Sequence, residues 1–125
     1  MFYTTLWIDH SEAKIFNFVK EQAPDIFHLS NQHHTTHHNP GHIENEKKEQ
    51  LKKFYHDVQD KIKNTEGVLI VGPSFAKNEF QTYLQTHHPK GLGKSILGLQ
   101  LMDKASDGEI TKLSEKFFHK YQLFQ

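Results

Sequence analysis

The apolar positions repeat with period two near the start of the chain and with helical period later, and this change sets the predicted elements. Tyr3 to Asp9 is apolar and β-prone, which predicts a first strand. His10-Ser11-Glu12 is a polar turn. Ala13 to Lys20 alternates, with Ala13 and Ile15 on one face and Phe16 and Phe18 on the other. Apolar residues on both faces predict a strand inside a sheet. Gln22-Ala23-Pro24 is a second turn, and Asp25 to Leu29 predicts a short third strand. The opening is therefore read as a three-stranded antiparallel meander.

Ser30 to Pro40 holds no apolar residue and predicts a surface loop. Asn39-Pro40 can cap and start a helix. From about Ile43 to Lys63, Leu51, Phe54, Tyr55, Val58 and Ile62 fall on one helical stripe. Gly67 to Phe80, GVLIVGPSFAKNEF, is the centre of the pattern. Its β-branched run is strand-length and predicts a strand buried on both faces. Gly72-Pro73 ends it, and Ser74 is expected to cap a helix running to about His87, with Ala76, Phe80, Tyr83 and Leu84 toward the sheet. Ser95 to Met102 predicts the last strand, with Gly98 allowing close approach of a neighbour. Ser106 and Glu109 form a capping box. The final helix is expected to bury Ile110, Leu113, Phe117 and Tyr121.

The order β-β-β-α-β-α-β-α predicts an α/β chain with the ribonuclease H-like three-layer fold, a mixed five-stranded sheet covered by helices. The 125 residues suit one domain, 1–125, with a flexible His-rich loop at 30–42.

Composition changes this picture in three ways. Basic and acidic residues balance at 15 each, so no overall charge points to nucleic acid. Every basic residue is Lys, which disfavours bidentate phosphate or base recognition. There is no Cys, which excludes disulfides, thiolate zinc and a Cys nucleophile. The first residues lack a signal-peptide pattern, and no apolar run reaches membrane-spanning length, so a cytoplasmic protein without membrane contact is the expectation.

Candidate chemistry lies in four places. His33, His34, His37 and His38 have the i, i+4 spacing that lets imidazoles share a divalent transition metal if the loop coils. A solvated polar loop and a nucleic-acid contact remain alternatives. Lys77, in the first turn of its helix, can join free N–H groups in holding a phosphate, although GPSFAK lacks the Gly-Lys-Ser/Thr ending of a Walker loop. A fold-stabilising turn with an exposed Lys is the alternative. Lys47, Lys48, Lys52 and Lys53 lie on one side of the first helix and can meet an RNA backbone, weakened by Glu44, Glu46, Glu49 and Asp57. Asp9, with Asp103 and Asp107 after the last strand, are the carboxylates a two-metal nuclease would need. Ordinary turn roles are the alternative.

The stretch around GVLIVGPSFAKNEF resembles the middle domain of archaeal and eukaryotic class 1 peptide-release factors and of Pelota. The matching positions are Gly72, Pro73, Phe75, Lys77, Glu79 and Phe80. The hairpin LWIDHSEAKIFNF is similar to the opening of that domain, and Asp103-Lys104 to Gly108 is similar to small bacterial stand-alone relatives. In release factors the loop after the third strand carries the Gly-Gly-Gln that drives peptidyl-tRNA hydrolysis. Here Asn31 to His42 contains Gln32 but no Gly-Gly pair. The resemblance therefore implies a non-enzymatic module of the translation machinery. Its partners would be the ribosome, rRNA, tRNA or a ribosome-associated protein. A metal-dependent nuclease or hydrolase of ribonuclease H-like fold is the competing expectation.

Overall fold

The structure, a computed structural model, describes residues 2–31 and 40–120, with side chains from Glu46 onward in the long helix. The elements are β1 (Tyr3–Ile8), β2 (Glu12–Phe18), β3 (Asp25–Ser30), α1 (Pro40–Ile62), β4 (Gly67–Gly72), α2 (Ala76–His87), a short 3-10 turn (Leu92–Lys94), β5 (Ile96–Leu101) and α3 (Asp107–Lys120). The strands form one mixed sheet in the order β3-β2-β1-β4-β5. The β1–β2 and β2–β3 pairs are antiparallel, and β1–β4 and β4–β5 are parallel. This is the predicted α/β, ribonuclease H-like order, with the 3-10 turn added.

Two apolar layers fill the two faces of the sheet. On one, Leu6, Ile8, Ala13, Ile15, Val68 and Ile70 meet Phe54, Tyr55, Val58 and Ile62 of α1 and Phe80 and Leu84 of α2. On the other, Trp7, Phe16, Phe18, Leu69 and Val71 meet Ile110 and Phe118 of α3. Every residue of β4 is buried, because helices lie over both faces of this central strand. Trp7 is buried too, and its indole N–H donates to the Asp103 carbonyl oxygen at 3.2 Å. Gly98 has the predicted role. A Cβ there would stand 3.3 Å from both the Leu69 side chain and the Phe117 ring.

Three local expectations change. The long helix begins at Pro40, so Pro40, Gly41 and His42 belong to α1 while Ser30 belongs to β3. Proline suits this place, because the first-turn N–H it lacks would have had no helical partner. Helix α2 begins one residue later than a Ser74 cap requires. Phe75 holds the cap position without a side-chain hydrogen bond, and Ser74 Oγ only reaches the Ala76 N–H at 3.4 Å. In α3 the fully buried line is Ile110, Ser114 and Phe118, with Leu113 and Phe117 partly buried beside it. Ser114 is accommodated because its hydroxyl donates to the Ile110 carbonyl at 2.7 Å, leaving no bare polar atom against the sheet. Tyr121 lies outside the described residues.

Candidate functional site at the carboxyl end of the sheet

Strands β1 and β4 run in parallel and end side by side, which brings the β1–β2 turn against the turn leading into α2. In open α/β sheets this end is where functional groups collect. Asp9 organises the first turn. Its Oδ1 accepts the N–H groups of Ser11 and Glu12, each at 2.8 Å, the local hydrogen bonding that suits Asp to turns. The next residue, His10, points its Nε2 to Glu79 Oε1 of α2 at 3.3 Å. The other oxygen of the same carboxylate accepts the Tyr55 hydroxyl of α1 at 2.9 Å.

Glu79 therefore joins three elements through one side chain. Burial, then the hydrogen bond and negative charge of Glu79, hold the Tyr55 hydroxyl well above the usual phenol range. Tyr55 stays a donor throughout the neutral range. Asn31, the last described residue before position 32, fixes the turn from a fourth side. Its Nδ2 donates to the His10 carbonyl at 2.9 Å, and its backbone N–H donates to the Ser11 carbonyl at 2.8 Å. The result is a positioning network: it sets where the chain leaves β3 toward the His-rich segment.

A second surface lies along α1. A cleft of about 450 Å³ between α1 and α2 is lined by Glu49, Lys52, Lys53, His56, Asp57, Tyr83 and His87. The rings of Tyr83 and His87 are 4.6 Å apart. The Tyr83 hydroxyl is also raised above its usual value, by burial and then by the charge of Asp60. Lys53 reaches a neighbouring cleft of about 510 Å³ that runs to Ser30 and Asn31.

The predicted site residues are distributed unevenly. Lys47, Lys48, Lys52 and Lys53 are all exposed on α1. Lys52 lies 3.6 Å from Glu49. Lys77 folds back, and its ammonium donates to the Ser74 carbonyl at 2.7 Å, closing the turn before α2. Asp9 is held by its own turn, Asp107 pairs with Lys14 at 3.0 Å, and the Asp103 backbone receives Trp7. Among the described residues, no three His, Asp or Glu side chains gather to hold a metal ion. Asp9, Asp103 and Asp107 thus do not meet as the nuclease reading requires. His33, His34, His37 and His38 lie outside the described residues. Among the described residues, no helix is long and apolar enough to cross a membrane.

The joint role of His10, Glu79 and Tyr55 escaped the sequence. Tyr55 was visible as a stripe residue and Glu79 as part of the Gly-Pro-Ser-Phe stretch. Nothing in their spacing shows that α1 and α2 present them to one another.

Comparison with known proteins follows the same architecture. The chain matches no protein-family model. Over 57 residues it is 37% identical to the protein pelota homolog of Pyrococcus abyssi, covering 41% of this chain and 16% of that protein. Among solved structures, Archaeoglobus fulgidus Pelota matches with a TM-score of 0.64 and 15% identity, covering 92% of this chain and 31% of that chain. Thermoplasma acidophilum Pelota matches with a TM-score of 0.63 and 16% identity, covering 92% of this chain and 32% of that chain. The archaeal translation termination factor aRF1 matches with a TM-score of 0.60 and 15% identity, covering 98% of this chain and 40% of that chain. The chain thus spans well under half the length of these relatives. It has the fold of one part of Pelota and aRF1, and the resemblance read from GVLIVGPSFAKNEF is borne out.

Proposed function

We propose that this chain is a non-enzymatic module of the translation machinery that binds the ribosome, its RNA or a ribosome-associated protein. The reading is carried by one observation: nearly the whole chain shares its fold with part of Pelota and of a translation termination factor. The stretch from Asn31 to His42 has no Gly-Gly pair beside Gln32, so the hydrolytic motif of the release factors does not carry over to this chain. What remains is the positioning network at the base of that stretch and the exposed lysines of α1, Lys47, Lys48, Lys52 and Lys53. Lysine contacts to phosphate release counterions, so binding of this kind weakens as salt rises. Lys77, half-buried and turned onto Ser74, stabilises the α2 entry and adds little to such a surface.

The test is sedimentation with ribosomes from the native cell at low and at raised salt. The expected result is co-sedimentation at low salt that falls as salt rises and is lost when Lys47, Lys48, Lys52 and Lys53 are together changed to Gln. Complete absence from the ribosome fractions at low salt overturns the proposal. Phosphodiester cleavage by the purified protein, abolished in Asp9→Asn, would replace it with the nuclease reading.

A further inference from the structure

Both edges of the sheet expose apolar side chains, Ile26 and Phe27 on β3 and Leu97 and Leu101 on β5, but they differ in charge. The β3 edge carries Asp25 and His28, with His28 3.7 Å from Glu12 and the Lys61 ammonium 5.4 Å from the centre of the Phe27 ring. Charges along an edge deter another strand from pairing there. The β5 edge, Ile96-Leu97-Gly98-Leu99-Gln100-Leu101, carries no charge and no proline. Among the described residues, β5 has a strand on one side only. Leu101 is 75% exposed and Leu97 37%. Phe75, 76% exposed, follows three residues after Gly72, the partner of Leu101 in the β4–β5 pair.

The direction of the backbone groups says what fits this edge. The Met102 N–H bonds inward to the Gly72 carbonyl at 3.0 Å. Successive peptide groups of a strand alternate, so the N–H and C=O of Leu99 and Leu101 point outward, away from β4. Leu99 pairs with Ile70 and packs on the α1–α2 layer. Leu101, two residues on, is on the same face. The outward-bonding residues are therefore two leucines on one face of a strand that itself carries no charge.

This pattern is self-complementary. Placed antiparallel to a copy of itself about an axis at Gln100, Leu99 of one copy pairs with Leu101 of the other and Leu101 with Leu99. Each pair exchanges two main-chain hydrogen bonds. At these two pairs apolar residues meet apolar residues, Gln100 faces Gln100, and no like charges oppose, since Asp103 falls opposite Leu97 and Lys104 opposite Ile96. The chain's formal net charge of zero adds no long-range repulsion between copies. We infer that β5 is the dimerisation edge of this protein, pairing antiparallel with β5 of a second copy to form one continuous sheet.

Sedimentation velocity across a range of protein concentrations tests it, using the full chain, Leu101→Lys, Gln100→Lys and, on the opposite edge, Ile26→Lys. Thermal melts confirm that each variant is folded. The wild type and Ile26→Lys are expected to form a dimer that dissociates on dilution. Leu101→Lys removes an exposed leucine from the pairing, and Gln100→Lys places like charges across the axis. Each is expected to raise the dimer dissociation constant by about tenfold or more. A wild type that stays monomeric to its solubility limit overturns the proposal. So do variants of Leu101 and Gln100 that dimerise as tightly as wild type, or a dimer that is lost in Ile26→Lys alone.

Discussion

A Cβ atom on Gly72 would collide with the backbone carbonyl oxygen of Ile8, the last residue of β1. The closeness comes from the parallel β1–β4 pair, which brings the end of β1 against the turn that starts α2. Gly72 does not have a positive φ, so the requirement is for space and not for an unusual backbone. Gly72→Ala forces two backbones apart at the centre of the sheet, where neither can give way as a side-chain tip could. The expected cost is about 2–3 kcal/mol, in the range of overpacked sites. Urea unfolding of the variant should show a lower midpoint with an unchanged slope.

The Tyr55–Glu79 hydrogen bond makes an alkaline prediction. The folded chain holds the Tyr55 proton beyond the ordinary phenol value of 10.0 because the hydroxyl is buried and donates to Glu79. Below that pH both folded and unfolded chains keep the proton, and the stabilisation is fully present. As pH rises past about 10 the unfolded chain releases the proton while the folded chain still holds it, so each further increase favours unfolding. Tyr55→Phe should therefore flatten the fall of stability at alkaline pH relative to wild type. At neutral pH the same change should cost about 1.5 kcal/mol, the lower end for a bond to a charged acceptor, because Glu79 is half exposed. Denaturant midpoints measured between neutral pH and pH about 11 check both parts.

The capping box at the start of α3 is a third test. The Glu109 N–H donates to Ser106 Oγ at 3.2 Å, and Glu109 Oε1 accepts the Ser106 N–H at 3.4 Å and its hydroxyl at 3.0 Å. Ser106→Ala removes the acceptor for a first-turn N–H and should lower stability by about 1 kcal/mol. The variant should also melt at a lower temperature without altering the far-ultraviolet circular dichroism of the folded state.

That capping box shows what the chain reveals before folding. Ser106 and Glu109 are three residues apart and their side chains bond within one helical turn, so spacing suffices to find them. The strands were legible for a similar reason. Val68 to Val71 is continuously apolar because helices cover both faces, and Ala13 to Phe18 alternates between two filled layers. The buried line of α3 was harder to see, because a serine occupies its middle. Only the bond from Ser114 to the Ile110 carbonyl explains why a polar residue is tolerated there. The network of His10, Glu79 and Tyr55 was not legible at all. Its members lie 69 and 24 residues apart, and their meeting depends on how α1 and α2 seat on the sheet.

Phe75 and Phe80 share one short stretch and should respond to truncation to very different degrees. Phe80 is fully buried, with its ring 5.6 Å from Tyr55 and 6.1 Å from Tyr83. Phe80→Ala empties space between α2 and the sheet that rigid neighbours cannot refill, at a cost of about 3–5 kcal/mol. Phe75 stands 76% exposed at the helix entry and makes no side-chain cap. Phe75→Ala should leave stability within about 0.5 kcal/mol of wild type, as substitutions at open surface positions do. Chemical denaturation of the two variants side by side checks the contrast. A large loss in Phe75→Ala would mean that its ring is covered in solution, and a concentration dependence of that loss would place the cover on a second copy.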